Sequence, residues 1–223
     1  MYKTATKSSN LLAAAAASLA LMSSAAAVAG PGKPGINDIL EGGNIAEIAL
    51  AANGALDEFN LLLEAVLCFG PLENNPVVDL LSSPDKITLF APTDAAFLNL
   101  VGRWNEAYPH DDPITGPCDL APEPLLSVLL YHVVDGRRFS NSVFNGNNAK
   151  SIETLLGAEI VSFVDSEVPM LHDVDGQTIS IVLSVPLDPE GELKTYDINA
   201  SNGVIHVIDT VLLPIELPEP ADD

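Results

Sequence analysis

Positive charge is what this 223-residue sequence has least of: nine Lys and Arg stand against 31 Asp and Glu, a net charge of −22. A chain so acidic repels phosphate backbones and anionic headgroups, which excludes nucleic acid as a partner and argues against electrostatic membrane binding. Cysteine is nearly absent, with only Cys68 and Cys118, and His is not clustered, so no zinc site is expected. Long apolar runs are missing too. The one candidate, Leu11 to Met22, is too short for a permanent span, so no integral membrane segment is expected. There is no Gly-x-Ser-x-Gly, no His-Glu-x-x-His and no phosphate-binding loop. No internal repeat is visible, so a single copy of the domain is expected.

What is present begins with an export signal. Lys3 and Lys7 precede the apolar run, and Ala27-Val28-Ala29 offers the small residues of a signal-peptidase site, so residues 1–29 are expected to be removed. No Cys follows the cut to carry lipid. The expected product is secreted or periplasmic. The first 29 residues hold two of the nine bases and no acid, so residues 30–223 carry seven bases against 31 acids, a charge of −24. Solvation in a salty habitat is the plainer reading of that surface, and a dedicated acidic binding face the sharper one. Gly30 to Ile36 reads as a flexible lead-in, residues 37–216 as one domain, and 217–223 as an acidic tail. An even pair of cysteines in an exported chain predicts a Cys68–Cys118 disulfide, with two free thiols as the alternative.

Three segments carry the fold signal. Ile87-Thr-Leu-Phe90 reads as a short buried strand stopped by Pro92, with Thr93 capping a helix whose first turn places Asp94 at the positive dipole end. Leu129-Leu-Tyr-His-Val-Val134 and Ala200-Ser-Asn-Gly-Val-Ile-His-Val-Ile-Asp-Thr-Val-Leu-Leu-Pro214 follow in order. With these three motifs, most of Asn37 to Pro214 resembles the fasciclin-like domain family, as a single-domain, secreted bacterial member. The resemblance implies an α+β fold, a wedge-shaped β-sandwich carrying several helices.

The remaining pattern agrees with α+β. Asn44 to Leu67 is helical, with a predicted break at Asn53-Gly54 and Asp57 placed to open a second helix bearing Phe59, Leu62, Leu63, Val66 and Leu67 on one face. A short helix is expected at Val77 to Leu81, and another opens at Pro122 and Pro124. Strands are expected at Ile160 to Val164, Thr178 to Val185 and Val204 to Leu212, with turns at Asp175-Gly176 and Asn202-Gly203. Helices first and strands later favour α+β over alternating units. Gly102 to Ala121 reads as loop. It and Ser166 to Thr195, with the Asp188-Pro-Glu-Gly-Glu192 turn, look like insertions where particular function would reside.

Candidate chemistry is thin. His132 beside Tyr131 could act as a base but lacks a visible nucleophile and orienting partner. The resemblance implies a structural Tyr131-His132 pair, which in animal members also forms part of an adhesive surface. His206 lies among Val204, Ile205, Val207 and Ile208 and reads as a core imidazole. Asp197-Ile198 stands where animal relatives place an Asp-Ile pair implicated in integrin binding, but Thr195-Tyr196 and Asn199 flank it differently. Asp173-Val-Asp-Gly176 hints at calcium, yet Leu171 occupies the first ligand position, so a hairpin is the better reading. His110-Asp-Asp112 with Asp119 and Glu123 reads as solvated loop charge. Asn199-Ala-Ser201 matches a glycosylation sequon inside an expected packed segment.

The sequence therefore predicts a non-catalytic adhesion or interaction module, with no cofactor or metal, that binds extracellular or cell-surface proteins or polysaccharides. A glycan or small-ligand module using the 101–120 loop, near Trp104 and Tyr108, is the alternative. A hydrolase using His132 or His206 ranks last.

Overall fold

The computed structural model describes residues 42–109, 112–144, 149–166, 168–182, 184–187 and 191–218. The expected signal peptide, the lead-in, the first residues of the expected domain, His110, Asp111, Asp188-Pro-Glu190 and the end of the acidic tail lie outside them.

Helices come first: α1 (Ile45–Leu56), α2 (Asn60–Leu67) and α3 (Pro76–Ser82). Then follow strand β1 (Ile87–Pro92), α4 (Asp94–Ala107), α5 (Pro122–Tyr131), β2 (Val133–Asp135) and the short α6 (Ser140–Val143). The rest is strand: β3 (Lys150–Glu153), β4 (Glu159–Asp165), β5 (Val168–His172), β6 (Thr178–Ser180), β7 (Ser184–Leu187), β8 (Gly191–Lys194), β9 (Ile198–Ala200) and β10 (Gly203–Ile208). This is the α+β order that the sequence predicts.

One sheet runs β2-β1-β10-β9 and a second runs β3-β4-β5-β6, while β7 and β8 form a separate hairpin. Bridges Val134 to Thr154 and Ile181 to Ile208 tie the two four-stranded sheets together. The first sheet is the middle layer. Ile87, Leu89, Ile205 and Val207 pack with the helices, whereas Phe90 and Ile208 meet Ile160, Leu171 and Ile179 of the second sheet. With apolar matter on both faces, β1 and β10 read as continuous buried runs instead of alternating ones.

β1 and β10 pair in parallel, Ile87 opposite Gly203 through Pro92 opposite Ile208. This pairing explains a glycine that the sequence assigns to a turn. Gly203 does not have the left-handed backbone of a turn glycine. A Cβ there would overlap the Ile87 carbonyl oxygen and approach Ile45 Cδ1 to 2.6 Å. Only hydrogen fits.

Several boundaries differ from the expected ones. α1 runs unbroken through Asn53-Gly54, because the Asn53 carboxamide reaches past the helix end and accepts from the Phe59 amide at 2.9 Å. Asp57 closes α1 in a left-handed conformation (φ 55) and does not open α2. The expected loop at Gly102 begins as helix, since α4 continues to Ala107 and Trp104 packs on the helical core. The expected strand Thr178 to Val185 divides into β6 and β7, and β10 ends at Ile208, short of Leu212. Asn199 is exposed on edge strand β9 and not packed.

Cys68 at the end of α2 is joined to Cys118 in a 3₁₀ turn (Pro117–Asp119), with Cα atoms 5.5 Å apart. Closing a 50-residue separation stabilises by up to about 4 kcal/mol on the loop-entropy model.

Gly203→Ala is expected to destabilise the protein by at least about 2 kcal/mol, since backbone must move to admit the methyl group. Urea unfolding checks this. An unchanged midpoint would mean that β1 and β10 are not so close.

Candidate functional site

The motif residues sit at junctions, and most of them join elements distant in sequence. Thr93 caps α4, its hydroxyl accepting from the Ala96 amide at 3.3 Å. Asp94 does more than face its own helix dipole. Its carboxylate accepts from the Leu61 amide at 2.8 Å and the Asn60 side chain at 3.0 Å, serving the N-terminus of α2, which has no capping side chain of its own. One carboxylate thus meets the positive ends of two helices.

Asn202 is buried at 4% exposure with its whole carboxamide in use. Its oxygen accepts from the Ile45 amide at 2.9 Å, and its nitrogen donates to the carbonyls of Leu81 at 2.8 Å and Ser83 at 2.9 Å. It therefore binds the start of α1 and the end of α3 to the β9–β10 turn.

Tyr131 and His132 end α5 and are both buried. The Tyr131 hydroxyl donates to the Glu159 carbonyl at 2.7 Å, tying the helix to β4. Burial, followed by the nearby Asp173 carboxylate, pushes this phenol up to about 12. His132 Nδ1 lies 2.7 Å from the Val128 carbonyl, and Nε2 is 3.0 Å from the Leu212 amide. An amide can only donate, so Nε2 accepts and the proton sits on Nδ1. Burial lowers this imidazole to about 4. It is a neutral strut between α5 and the chain after β10.

The structure brings Asp197 and His206 together. His206 is fully buried, stacked on Phe90 at 5.6 Å and edge-on to Phe144 at 6.4 Å. Nε2 is 2.9 Å from the Arg138 carbonyl, and Nδ1 is 3.3 Å from the Asp197 amide. The same logic fixes a neutral ring with its proton on Nε2. The Asp197 carboxylate lies 3.9 Å from Nδ1, but burial lowers the His206 pKa, so at neutral pH this is not an ion pair. Burial alone would raise the Asp197 carboxyl; 2.6 Å hydrogen bonds from the Ser140 hydroxyl and amide, together with the Lys194 ammonium 3.6 Å away, hold the group below the usual range. Asp197 adopts φ 53, and Ile198 is a half-buried residue of β9.

Ser, His and Asp do meet here, yet not as a nucleophile with its base. Ser140 donates to Asp197, and both His206 nitrogens are taken by main chain. A general base needs a free lone pair aimed at the proton it removes. Neither imidazole offers one.

A second junction is absent from the sequence reading. Asp173, in the β5–β6 turn, accepts from the Gln177 amide at 2.9 Å, the Gln177 side chain at 2.6 Å and the Leu213 amide at 2.9 Å. Burial raises its pKa despite these donors. Asp175 accepts from the Leu217 amide at 2.6 Å and pairs with Arg103 of α4, which also bonds Gln177. The carboxylates that hint at calcium are thus occupied, and no group of three metal-ligating side chains occurs among the described residues. In the sequence the acidic Asp173-Val-Asp-Gly176 turn marks one side of this junction, and Arg103, the one base in α4, marks the other.

The buried imidazoles set a pH dependence. His132 has a folded pKa of about 4 against an unfolded value near 6.5, so the unfolded chain binds more protons between these values. Its contribution is complete above about pH 6.5 and declines as pH falls toward 4, an order of about 3 kcal/mol. His206 acts in the same direction, and Asp173, with its raised pKa, partly opposes them. Urea unfolding at pH 7 and pH 5 is expected to show lower stability at pH 5, and His132→Gln should flatten the fall.

Residues 69–214 match the family model of the Fasciclin domain. The chain is 31% identical over 171 residues to the uncharacterized protein sll1735 of Synechocystis, covering 76% of this chain and 97% of that one. It is 32% identical over 143 residues to protein sll1483 of Synechocystis, covering 62% of this chain and 61% of that one. Human periostin is 25% identical over 147 residues, 66% of this chain but only 14% of periostin. A FAS1 domain pair from the insect cell adhesion molecule fasciclin I superposes with a TM-score of 0.46 at 20% identity, over 72% of this chain and 45% of that one. With its family model covering well over half of the sequence, and its motif residues at the junctions just described, this chain belongs to the fasciclin domain family.

Proposed function

We propose that the chain is exported by cleavage after Ala29 and works as a non-catalytic adhesion or interaction module. A single domain over residues 37–216, between the lead-in and the acidic tail, would bind extracellular or cell-surface proteins or polysaccharides. Fasciclin domains are, as a family, adhesion and interaction modules. The observation that carries the reading is that the candidate catalytic groups are committed to the fold. His132 and His206 are buried and neutral, with all four ring nitrogens bound to main chain. A scaffold built this way displays surfaces. The Cys68–Cys118 disulfide supports an oxidising compartment. Among the described residues, no helix is long and apolar enough to cross a membrane.

Immobilised exported protein is expected to retain specific proteins or polysaccharides from the secreted fraction, and to hydrolyse no ester, peptide or glycoside substrate. Hydrolysis that disappears in a folded His132→Gln variant would contradict the proposal, as would finding residues 1–29 in the exported form.

A further inference from the structure

The last turns of α4, Asp175 of the β5–β6 turn and residues 216–218 border an open cleft of about 660 Å³. Its floor is fixed: Asp175 holds Arg103 with one oxygen and the Leu217 amide with the other, leaving the Arg103 side chain 32% exposed. Glu106 and Glu216 face the cleft from two elements, both exposed, and among the described residues neither has a cation within ion-pair distance. Tyr108 lines the same cleft, its ring 4.9 Å from that of Trp104 and tilted by 41°. One turn back, Trp104 lines an adjoining apolar cleft of about 290 Å³ with Leu120, Pro124 and Ile215. An aromatic, apolar step thus borders a polar hollow that offers both donors and acceptors.

These features discriminate among ligands. An anionic polymer meets Glu106, Glu216 and the −24 charge of residues 30–223, and is repelled. A cation satisfies the carboxylates but meets Arg103 and makes no use of the apolar step. A neutral sugar ring has a C–H face for an aromatic, hydroxyl donors for carboxylates and hydroxyl acceptors for a guanidinium. We propose that this tract binds a neutral oligosaccharide, one ring lying on Tyr108 with its hydroxyls on Glu106, Glu216 and the exposed edge of Arg103. The proposal rests on the interaction-module reading and names the chemistry of one partner.

Calorimetric titration of the exported protein with cellohexaose, maltohexaose and fully acetylated chitohexaose tests it, with hexa-arginine and polygalacturonate alongside. At least one neutral hexasaccharide is expected to bind, equally at low and high sodium chloride. Tyr108→Ala and the pair Glu106→Gln/Glu216→Gln are each expected to weaken binding about tenfold. Tyr108→Phe should retain most of it, and Leu98→Ser, at a side chain 61% exposed on α4, should change nothing. Because Tyr108→Ala also removes packing from Trp104, the exposed carboxylate pair tests the cleft independently of folding. Sugar binding indifferent to these variants would overturn the assignment. Salt-sensitive binding of hexa-arginine alone would overturn it in favour of a basic protein segment. If no hexasaccharide binds while the protein still captures partners from the secreted fraction, the cleft assignment fails and the interaction module stands. Loss of both overturns both.

Discussion

The parallel pairing of β1 with β10 is the constraint on which the rest depends. It joins residue 87 to residue 203, so most of the domain is a loop closed by this contact. Such a non-local pairing is entropically unfavourable until well-packed neighbours offset it. The neighbours are arranged for that purpose. Gly203 lets the strands approach, Asn202 anchors two helices beside the junction, and apolar side chains cover both faces. The second sheet, inserted between β2 and β9 in sequence, then closes over Phe90 and Ile208.

Buried and half-buried polar groups act as connectors in this fold. Asp94, His132, Asn202, His206 and Asp173 each satisfy main-chain groups of another element, and a buried amide left without its partner costs about 1–3 kcal/mol. The imidazoles serve because they stay neutral, donating from one nitrogen and accepting at the other. Among the described residues the acidic charge lies mostly outside, where solvent and ions screen it. Polar atoms inside define geometry; in the function we propose, recognition falls to exposed tracts such as the one beside Tyr108.

Local grammar made much of the fold legible. The buried strand at Ile87, the Thr93 cap, the proline-opened α5 and the Asp175-Gly176 turn are all set by residues within a few positions of one another. Through-space chemistry was less visible. Asp94 reads as a first-turn acid, but its partner is the amide of Leu61, 33 residues earlier. Gly203 reads as a turn residue because nothing nearby announces the carbonyl of Ile87. The run after Gly102 looks like loop because glycine lowers helix propensity, whereas packing of Trp104 on the helical core sustains α4 to Ala107. The polar junction of Arg103, Asp173, Asp175 and Gln177 showed its two sides but not their pairing, since its members come from two segments about 70 residues apart.

That the family motifs are structural connectors is tested most directly by native-state hydrogen exchange at three amides: Ile45, Leu61 and Leu212. Their acceptors are the side chains of Asn202, Asp94 and His132. Connectors of this kind predict that all three exchange only through global unfolding, and that Asn202→Ala, Asp94→Ala and His132→Ala each release the corresponding amide. Rapid exchange at these positions in the unaltered, folded protein would contradict it.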